Sequence, residues 1–376
     1  MAGEPVRPFG SGPIPVSPDC FEGRRTRQAT QAGQLNHDSS KPDEKRFKSE
    51  RCSFPSAALT STVVTGGAGF LGSHLVDSLL AKEHEVVAID NLVTGHKVNL
   101  TDALQNDLFH LSRSDLSRRH PIPKAEWYYH LASPASPPAY QRDPVGTLLV
   151  NAHGTHRVLE AARRFDGRVL IASTSEVYGD PVVHPQHEQY WGNVNPTGVR
   201  SCYDEGKRYA EALAMAYHRQ YGLDVRIARI FNTYGPRMHP RDGRVVSNLI
   251  VQGLRGDPFT VYGRGEQTRS FCYVSDLIRG LELLMEASPG KPKPMNLGNP
   301  REFTILETAK LIAKSLGIPP RFEFRPLPED DPRQRSPDIR LARTHLGWAP
   351  QVEFEAGLFK TVEYFRTRGI GRESAS

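Results

Sequence analysis

Cysteine is scarce in this chain: 376 residues hold four, Cys20, Cys52, Cys202 and Cys272. They are scattered without C-x-x-C or metal-ligand spacing, which excludes a disulfide-stapled scaffold and a zinc module. Reduced thiols point to a cytoplasmic setting. Also missing are the roughly 18 uncharged apolar residues of a membrane span and the apolar stretch of about 7–15 residues in a secretory leader. No membrane association is expected. No block of one charge stands out either. The 48 Lys and Arg against 42 Asp and Glu leave +6 spread along the chain, too thin an excess to argue for nucleic acid, although a small anion would suit it. There is no internal repeat. What remains is a globular composition, 38% hydrophobic, long enough for a large core or two lobes.

Residues 1–58 are rich in Pro, Gly, Ser, Gln and charge with no apolar periodicity, and read as a disordered extension. A targeting peptide is the weaker alternative, because Glu4, Asp19 and Glu22 are acidic where transit peptides are not. From Thr62 the pattern changes to short β-branched or aromatic runs alternating with amphipathic stretches. Strands are predicted over 62–65, 85–90, 108–111, 127–132, 168–173 and 224–231, and helices over 69–82, 144–165 and 203–221. Such alternation implies an α/β fold, a parallel sheet covered on both faces. After about 233 the pattern is less regular, with helices predicted over 245–253, 274–286, 304–315 and 354–366, and a strand over 259–262. This part reads as a smaller lobe, and a cleft between lobes is the default ligand site.

The stretch Val63-Val64-Thr65-Gly66-Gly67-Ala68-Gly69-Phe70-Leu71-Gly72 joins the first predicted strand to the first helix. Glycine permits the tight turn and lets backbone N–H groups approach a pyrophosphate at the helix N-terminus. Asp90 ends the next strand, placed to hold adenosine ribose hydroxyls, and Asp90-Asn91 favours NAD because an acid there repels a 2′-phosphate. A glycine-rich turn in an ordinary α/β core is the bland alternative. Tyr203 and Lys207 stand at i, i+4 on one helix face; a lysine cation near the phenol would stabilise phenolate and lower its pKa, as a base that abstracts an alcohol proton requires. Alone, Tyr-x-x-x-Lys is a common surface pair. Here it follows a strand ending in Ser173-Thr174-Ser175-Glu176-Val177-Tyr178-Gly179, and the C-terminal edge of a parallel sheet is where ligands bind.

These segments resemble the extended short-chain dehydrogenase/reductase superfamily over about 62–365. Within it, His130-Leu131-Ala132-Ser133-Pro134-Ala135-Ser136-Pro137-Pro138, Tyr190-Trp191-Gly192-Asn193-Val194-Asn195-Pro196, the run 232–239 and Asp242-Gly243-Arg244-Val245-Val246-Ser247-Asn248 look like the UDP-glucuronate decarboxylases. The resemblance implies a Rossmann-type doubly wound sheet over 59–233, a UDP-sugar lobe mainly over 234–367 with segments returning to the core, a flexible tail over 368–376, bound NAD, and a homodimer through the helices over 144–165 and 203–221. It implies oxidation of UDP-glucuronate at C4, loss of CO2 from the resulting β-keto acid, and reduction to UDP-xylose. Tyr203 would take the C4 hydroxyl proton with Lys207 holding the phenolate, Thr174 and Ser175 would bond the reacting oxygens, and Glu176 and Arg335 would act as acid/base or carboxylate-handling groups. Gly66, Gly69, Phe70, Leu71, Gly72, Asp90, Asn91, Thr94, Gly95, Asp115 and Leu131 would join Tyr203 and Lys207 at the cofactor. Asp115 as a helix cap is nearly as good a reading. Tyr140, after the proline-rich turn, Arg200, Asn232, Arg237, Arg269 and Arg335 would face the substrate, arginine's planar fork suiting carboxylate and diphosphate. Against each arginine stands an ordinary salt bridge of about 0–1 kcal/mol.

One departure is Gly146, where such decarboxylases usually carry a lysine that meets the substrate. His184, His187, Trp191 and His239 show no metal-like grouping, and no metal is expected; Leu346-Gly347-Trp348 with Phe354 reads as packing of the last helix. The alternatives are a 4-epimerase or 4,6-dehydratase of the same superfamily, and a catalytically silent NAD-binding protein. The dehydratases typically have Asp-Glu where this chain has Ser175-Glu176.

Overall fold

Short β-branched strands that must be buried on both faces need helices above and below them, and the chain supplies them in alternation. The computed structural model describes residues 59–290, 293–327 and 334–369; the expectations for 1–58 and for 370–376 lie outside the described residues. The first half runs β1 (Ser61–Thr65), α1 (Phe70–Ala81), β2 (Glu85–Asp90), β3 (Phe109–Arg113), β4 (Trp127–His130), α2 (Pro137–Arg142), α3 (Pro144–Leu149), α4 (Thr155–Phe165), β5 (Arg168–Thr174), α5 (Ser201–Tyr221) and β6 (Val225–Ile230). A seventh strand, Pro294–Leu297, pairs parallel with β6. The sheet order is Pro294–Leu297, β6, β5, β4, β1, β2, β3, a doubly wound sheet whose order reverses beside β1. Ligands bind at such a switch point, past the carboxyl ends of the strands.

Two differences from the sequence reading bear on the site. The helix expected over 144–165 is broken by a wide turn at Val150–Gly154, where buried Asn151 donates from Nδ2 to Thr147 O and Ser133 Oγ. A side chain inserted into the helical ladder has this effect. The strand expected over 127–132 stops at His130, where the chain runs on past Gly66 to a bend at Ser133. A β-carbon at Gly66 would lie 2.9 Å from the Ala132 backbone, and its φ of +71° is one glycine adopts readily.

The C-terminal part contributes α6 (Val245–Arg255), α7 (Val274–Glu286), α8 (Ile305–Leu316), α9 (Arg340–Leu346) and α10 (Phe354–Thr367). Helix α8 begins with a reciprocal cap between Thr304 and Glu307. Trp348 and Phe354 are fully buried, and Trp348 Nε1 donates to Asp276 O at 2.9 Å, so the polar handle of this large side chain is satisfied. A small sheet matters most for the site: Thr268–Ser270 pairs with Glu302–Thr304 on one side and with Gln334–Arg335 on the other. Its register sets Arg335 opposite Arg269.

Candidate active site

A cavity of about 1240 Å³ opens above the carboxyl edge of the sheet, large enough for a dinucleotide and a second nucleotide. Of the residues expected at cofactor or substrate, all line it except Gly95. Gly95 lies beneath the cofactor end instead, where a β-carbon would come within 2.8 Å of the Asp90 carboxylate.

At that end the glycines form a cradle. A β-carbon at Gly72 would stand 2.0 Å from the Gly66 carbonyl oxygen, so no side chain fits without moving backbone. Helix α1 starts at Gly69 with no side-chain cap, leaving its first N–H groups for an anion. Asp90 accepts from Ala68 N at 2.9 Å and Leu92 N at 2.8 Å; burial raises its pKa against the pull of these bonds. The bonds aim its carboxylate along the cavity wall, where ribose hydroxyls would meet its remaining lone pairs. These residues fit an NAD dinucleotide. Asp115 accepts from Ser117 N and Oγ in a turn that opens no helix, so it is not the helix cap of its bland reading, and it lines the wall. His130 is buried between Thr65 and Thr155, a structural tie from β1 to α4.

At the sheet's centre Lys207 is buried and donates to Ala172 O at 2.9 Å, with Nζ 5.8 Å from the Tyr203 ring centre. Burial lowers its pKa to about 8. Tyr203 stacks on Tyr140 at 5.0 Å with planes 5° apart. Here the sequence expectation needs correcting: burial pushes the Tyr203 phenol above its ordinary value, and the Thr174 hydroxyl bonded to it offsets this only in part. The physical reason is that desolvation disfavours phenolate more than this lysine, turned toward a carbonyl, favours it. Tyr140 sits inside α2 rather than after a turn, and its buried hydroxyl has no hydrogen-bond partner.

The third group is ionic. Glu176, in the Ser175–Tyr178 turn after β5, accepts from Arg335 Nη1 at 3.0 Å and Arg200 Nη2 at 2.5 Å. Burial opposes its ionisation, but Arg335, Arg200 and Arg269 outweigh that and pull its pKa down to about 2. It is therefore held as a carboxylate, able to accept a proton but not poised to give one. Arg335 is 2% exposed, its Nη2 donates to Gly179 O at 2.7 Å, and its Nε has no partner. Asp204, also buried nearby, has its pKa raised to about 7 by burial and then by Glu176. Two guanidiniums, of Arg335 and Arg200, thus bond one carboxylate, and Arg269 lies close enough to help hold it ionised. Asn232 lines the same wall. Arg237 is held by Asp77 of α1 at 2.7 Å, and its buried Nη1 has no partner. Gly146 lines the opposite wall and donates to its own cap, Asp143, at 2.9 Å.

Some lining residues escaped the sequence reading. The far end is lined by Gln252, Thr260, Tyr262 and Arg325. Gln252 bonds Thr260 through both atoms of its amide, a helix-to-strand pairing with no sequence signal beyond a short apolar run. His96 stacks on His239 at 4.9 Å, joining the loop after β2 to the loop before α6.

A family model described as the NAD dependent epimerase/dehydratase family matches residues 62–298. UDP-glucuronic acid decarboxylase 1 of Xenopus tropicalis is 53% identical over 304 residues, 81% of this chain and 72% of that protein. UDP-glucuronic acid decarboxylase 6 of Arabidopsis thaliana is 54% identical over 81% of this chain and 89% of its own. Among solved structures, the UDP-glucuronic acid 4-epimerase of Bacillus cereus, in complex with UDP-glucuronic acid and NAD, superposes with a TM-score of 0.74 at 28% identity, covering 82% of this chain and 99% of that one. The UDP-glucose 4-epimerase of Thermotoga maritima, with UDP-glucose, gives 0.74 at 31% identity over 82% and 99%. With a glycine cradle fit for a dinucleotide, a buried Tyr–Lys pair and matches of this extent, the chain belongs to the NAD dependent epimerase/dehydratase family.

Proposed function

We propose that this protein is an NAD-dependent UDP-glucuronate decarboxylase that releases CO2 from C5 of the sugar and yields UDP-xylose. The observation that carries the reading is the convergence of Arg335 and Arg200 on Glu176 beside Tyr203, with the buried Arg335 Nε left as an unpartnered donor. Guanidinium donors suit a carboxylate through charge-assisted hydrogen bonds that a neutral hexose cannot accept with equal strength, so a uronate is the sugar this wall fits.

Bound NAD supplies reversible hydride acceptance at C4. Tyr203 accepts the C4 hydroxyl proton, which its neighbour Thr174 helps to orient. Because burial raises the pKa of the free phenol, this step needs additional positive charge close by, and protonated Lys207 supports it from below. Once C4 is a ketone, the bond from C5 to the carboxylate breaks, CO2 leaves, and the electron pair moves onto the C4 oxygen as an enolate. Thr174 and Ser175 hydroxyls stabilise that oxygen. Arg335 and Arg200 orient the carboxylate before it leaves, with Glu176 fixing both guanidiniums. Delivery of a proton from water to C5, and of the hydride the reduced cofactor would return to C4, complete the product as Tyr203 gives its proton back to the C4 oxygen.

A UDP-glucuronate 4-epimerase is the second reading, favoured by the Bacillus cereus neighbour. Product mass separates them: decarboxylation lowers it by about 44 Da, one CO2, and epimerisation leaves it unchanged. Tyr203→Phe keeps the stacked ring and should lower CO2 release by about 10²–10⁴-fold; release at the parent rate sinks the scheme. Helices α3 and α5 expose Val145, Leu148, Leu149, Tyr209 and Tyr221, an apolar face suited to a second copy; sedimentation of Leu148→Glu checks the homodimer. Cys202 and Cys272 are buried free thiols, consistent with the reducing cytoplasm; fractionation of the tagged protein tests it.

A further inference from the structure

Arg335 stands on a strand of two residues, too short to fix a guanidinium by itself. What holds it lies outside the cavity. Gln186 is fully buried. Its backbone N–H donates to Ser336 O at 2.9 Å and its carbonyl accepts from Asp338 N at 2.8 Å. Its side chain repeats the grip, Oε1 accepting from Ser336 N at 2.9 Å and Nε2 donating to Val183 O at 2.9 Å. Three of these four bonds seize the residues directly after Arg335. Asn296, also fully buried, locks the arrangement: its Nδ2 donates to Gln186 O at 2.9 Å and to Asp338 O at 3.1 Å, and its Oδ1 accepts from Tyr178 Oη at 2.8 Å. Tyr178 closes the same turn that carries Glu176. Two site residues 159 positions apart are thereby referenced to one pair of amides.

We propose that Gln186 and Asn296 are positioning residues that set where the Arg335 guanidinium stands relative to Glu176, and through it the rate of carbon–carbon cleavage. This rests on the reading of the site as a uronate decarboxylase. Both side chains are uncharged and use donor and acceptor together, so each specifies a geometry without adding a charge that would compete with the sugar carboxylate. A displacement of about 1 Å at such a group can cost about 10²-fold in rate.

The test is Gln186→Met, which keeps the length and removes the amide, in the full-length NAD-loaded protein. CO2 release from UDP-glucuronate should fall about 10–100-fold in kcat, with KM and retained NAD unchanged. In an Arg335→Lys background the same change should add less than about twofold, because the residue through which it acts is already altered. Hydrogen exchange should show the Ser336 amide opened and the Asp338 amide still protected. Asn296→Leu, which removes the donation to Gln186 and Asp338 without adding a charge, should give the same fall in kcat and the same non-additivity with Arg335→Lys while Ser336 keeps its bond to Gln186, and keeps the question answerable where Gln186→Met does not fold. If the two losses multiply, or if Ser336 stays protected in Gln186→Met while kcat falls, Gln186 is ordinary framework and the proposal is overturned. A parent protein that releases no CO2 refutes the reading of function instead, and the exchange result then decides the positioning role alone.

Discussion

Replacing Arg335 with methionine strips a buried carboxylate of its deepest partner, and the structure says what that should cost. Arg335 is 2% exposed and Glu176 17% exposed at the side chain, 3.0 Å apart. Removing one member of a buried pair costs about 3–5 kcal/mol, because the other charge stays behind without compensation. Arg200 still holds the second oxygen at 2.5 Å, which argues for the lower end, about 3 kcal/mol. With a urea dependence of about 3 kcal/mol/M for a domain of this size, the unfolding midpoint should drop by about 1 M at pH 7. Burial acts against ionised Glu176, yet the arginines depress its folded pKa from 4.5 to about 2. A depressed carboxylate contributes stability that is present above its unfolded value and lost as pH falls through the folded one. The gap between Arg335→Met and the parent should therefore narrow between about pH 4.5 and pH 2. Adding Glu176→Gln should close most of it at pH 7. The reasoning fails if Arg335→Met unfolds at the parent midpoint, or if Glu176→Gln leaves the deficit untouched.

Three further outcomes follow from single contacts. Gly72→Ala forces a β-carbon to within 2.0 Å of the Gly66 carbonyl, so the purified variant should lose its bound dinucleotide; retention at parent stoichiometry contradicts the cradle. Lys207→Met should be inactive yet more stable at pH 7 by about 1–3 kcal/mol in the cofactor-free protein. Its folded pKa is lowered by burial from 10.5 to about 8, so the charging penalty is complete below about 8 and fades as pH climbs to 10.5; urea midpoints at pH 7 and 10 read this directly. Gly146→Lys restores a cation to the cavity wall beside Asp143 and should lower KM for the uronate several-fold without changing inhibition by UDP-glucose, whose diphosphate is the same but whose sugar is uncharged; equal effects on both ligands would mean the charge does not reach the carboxylate.

Why some of this was readable and some not is a matter of distance along the chain. The strand over 85–90 and the helix over 274–286 match the observed elements residue for residue, because periodicity and β-branching act within one element. The glycines of the dinucleotide turn and the i, i+4 spacing of Tyr203 and Lys207 are equally local. Pro294–Leu297 was missed because four residues hold too short a period, and only β6 gives them an edge to pair with. Gln186 and Asn296 had no signal at all, since a buried amide is recognised by what surrounds it.

From its own residues the chain declares an alternating α/β layout, a glycine turn for a dinucleotide, and a tyrosine and lysine one helical turn apart; these depend on sterics and hydrogen bonding between near neighbours. Folding decided the rest. It set Arg335 against Arg269 by strand register, brought Glu176 into the grip of two arginines, and raised the Tyr203 phenol where proximity to lysine suggested the reverse. Register, burial and desolvation are properties of the packed whole, and no local pattern encodes them.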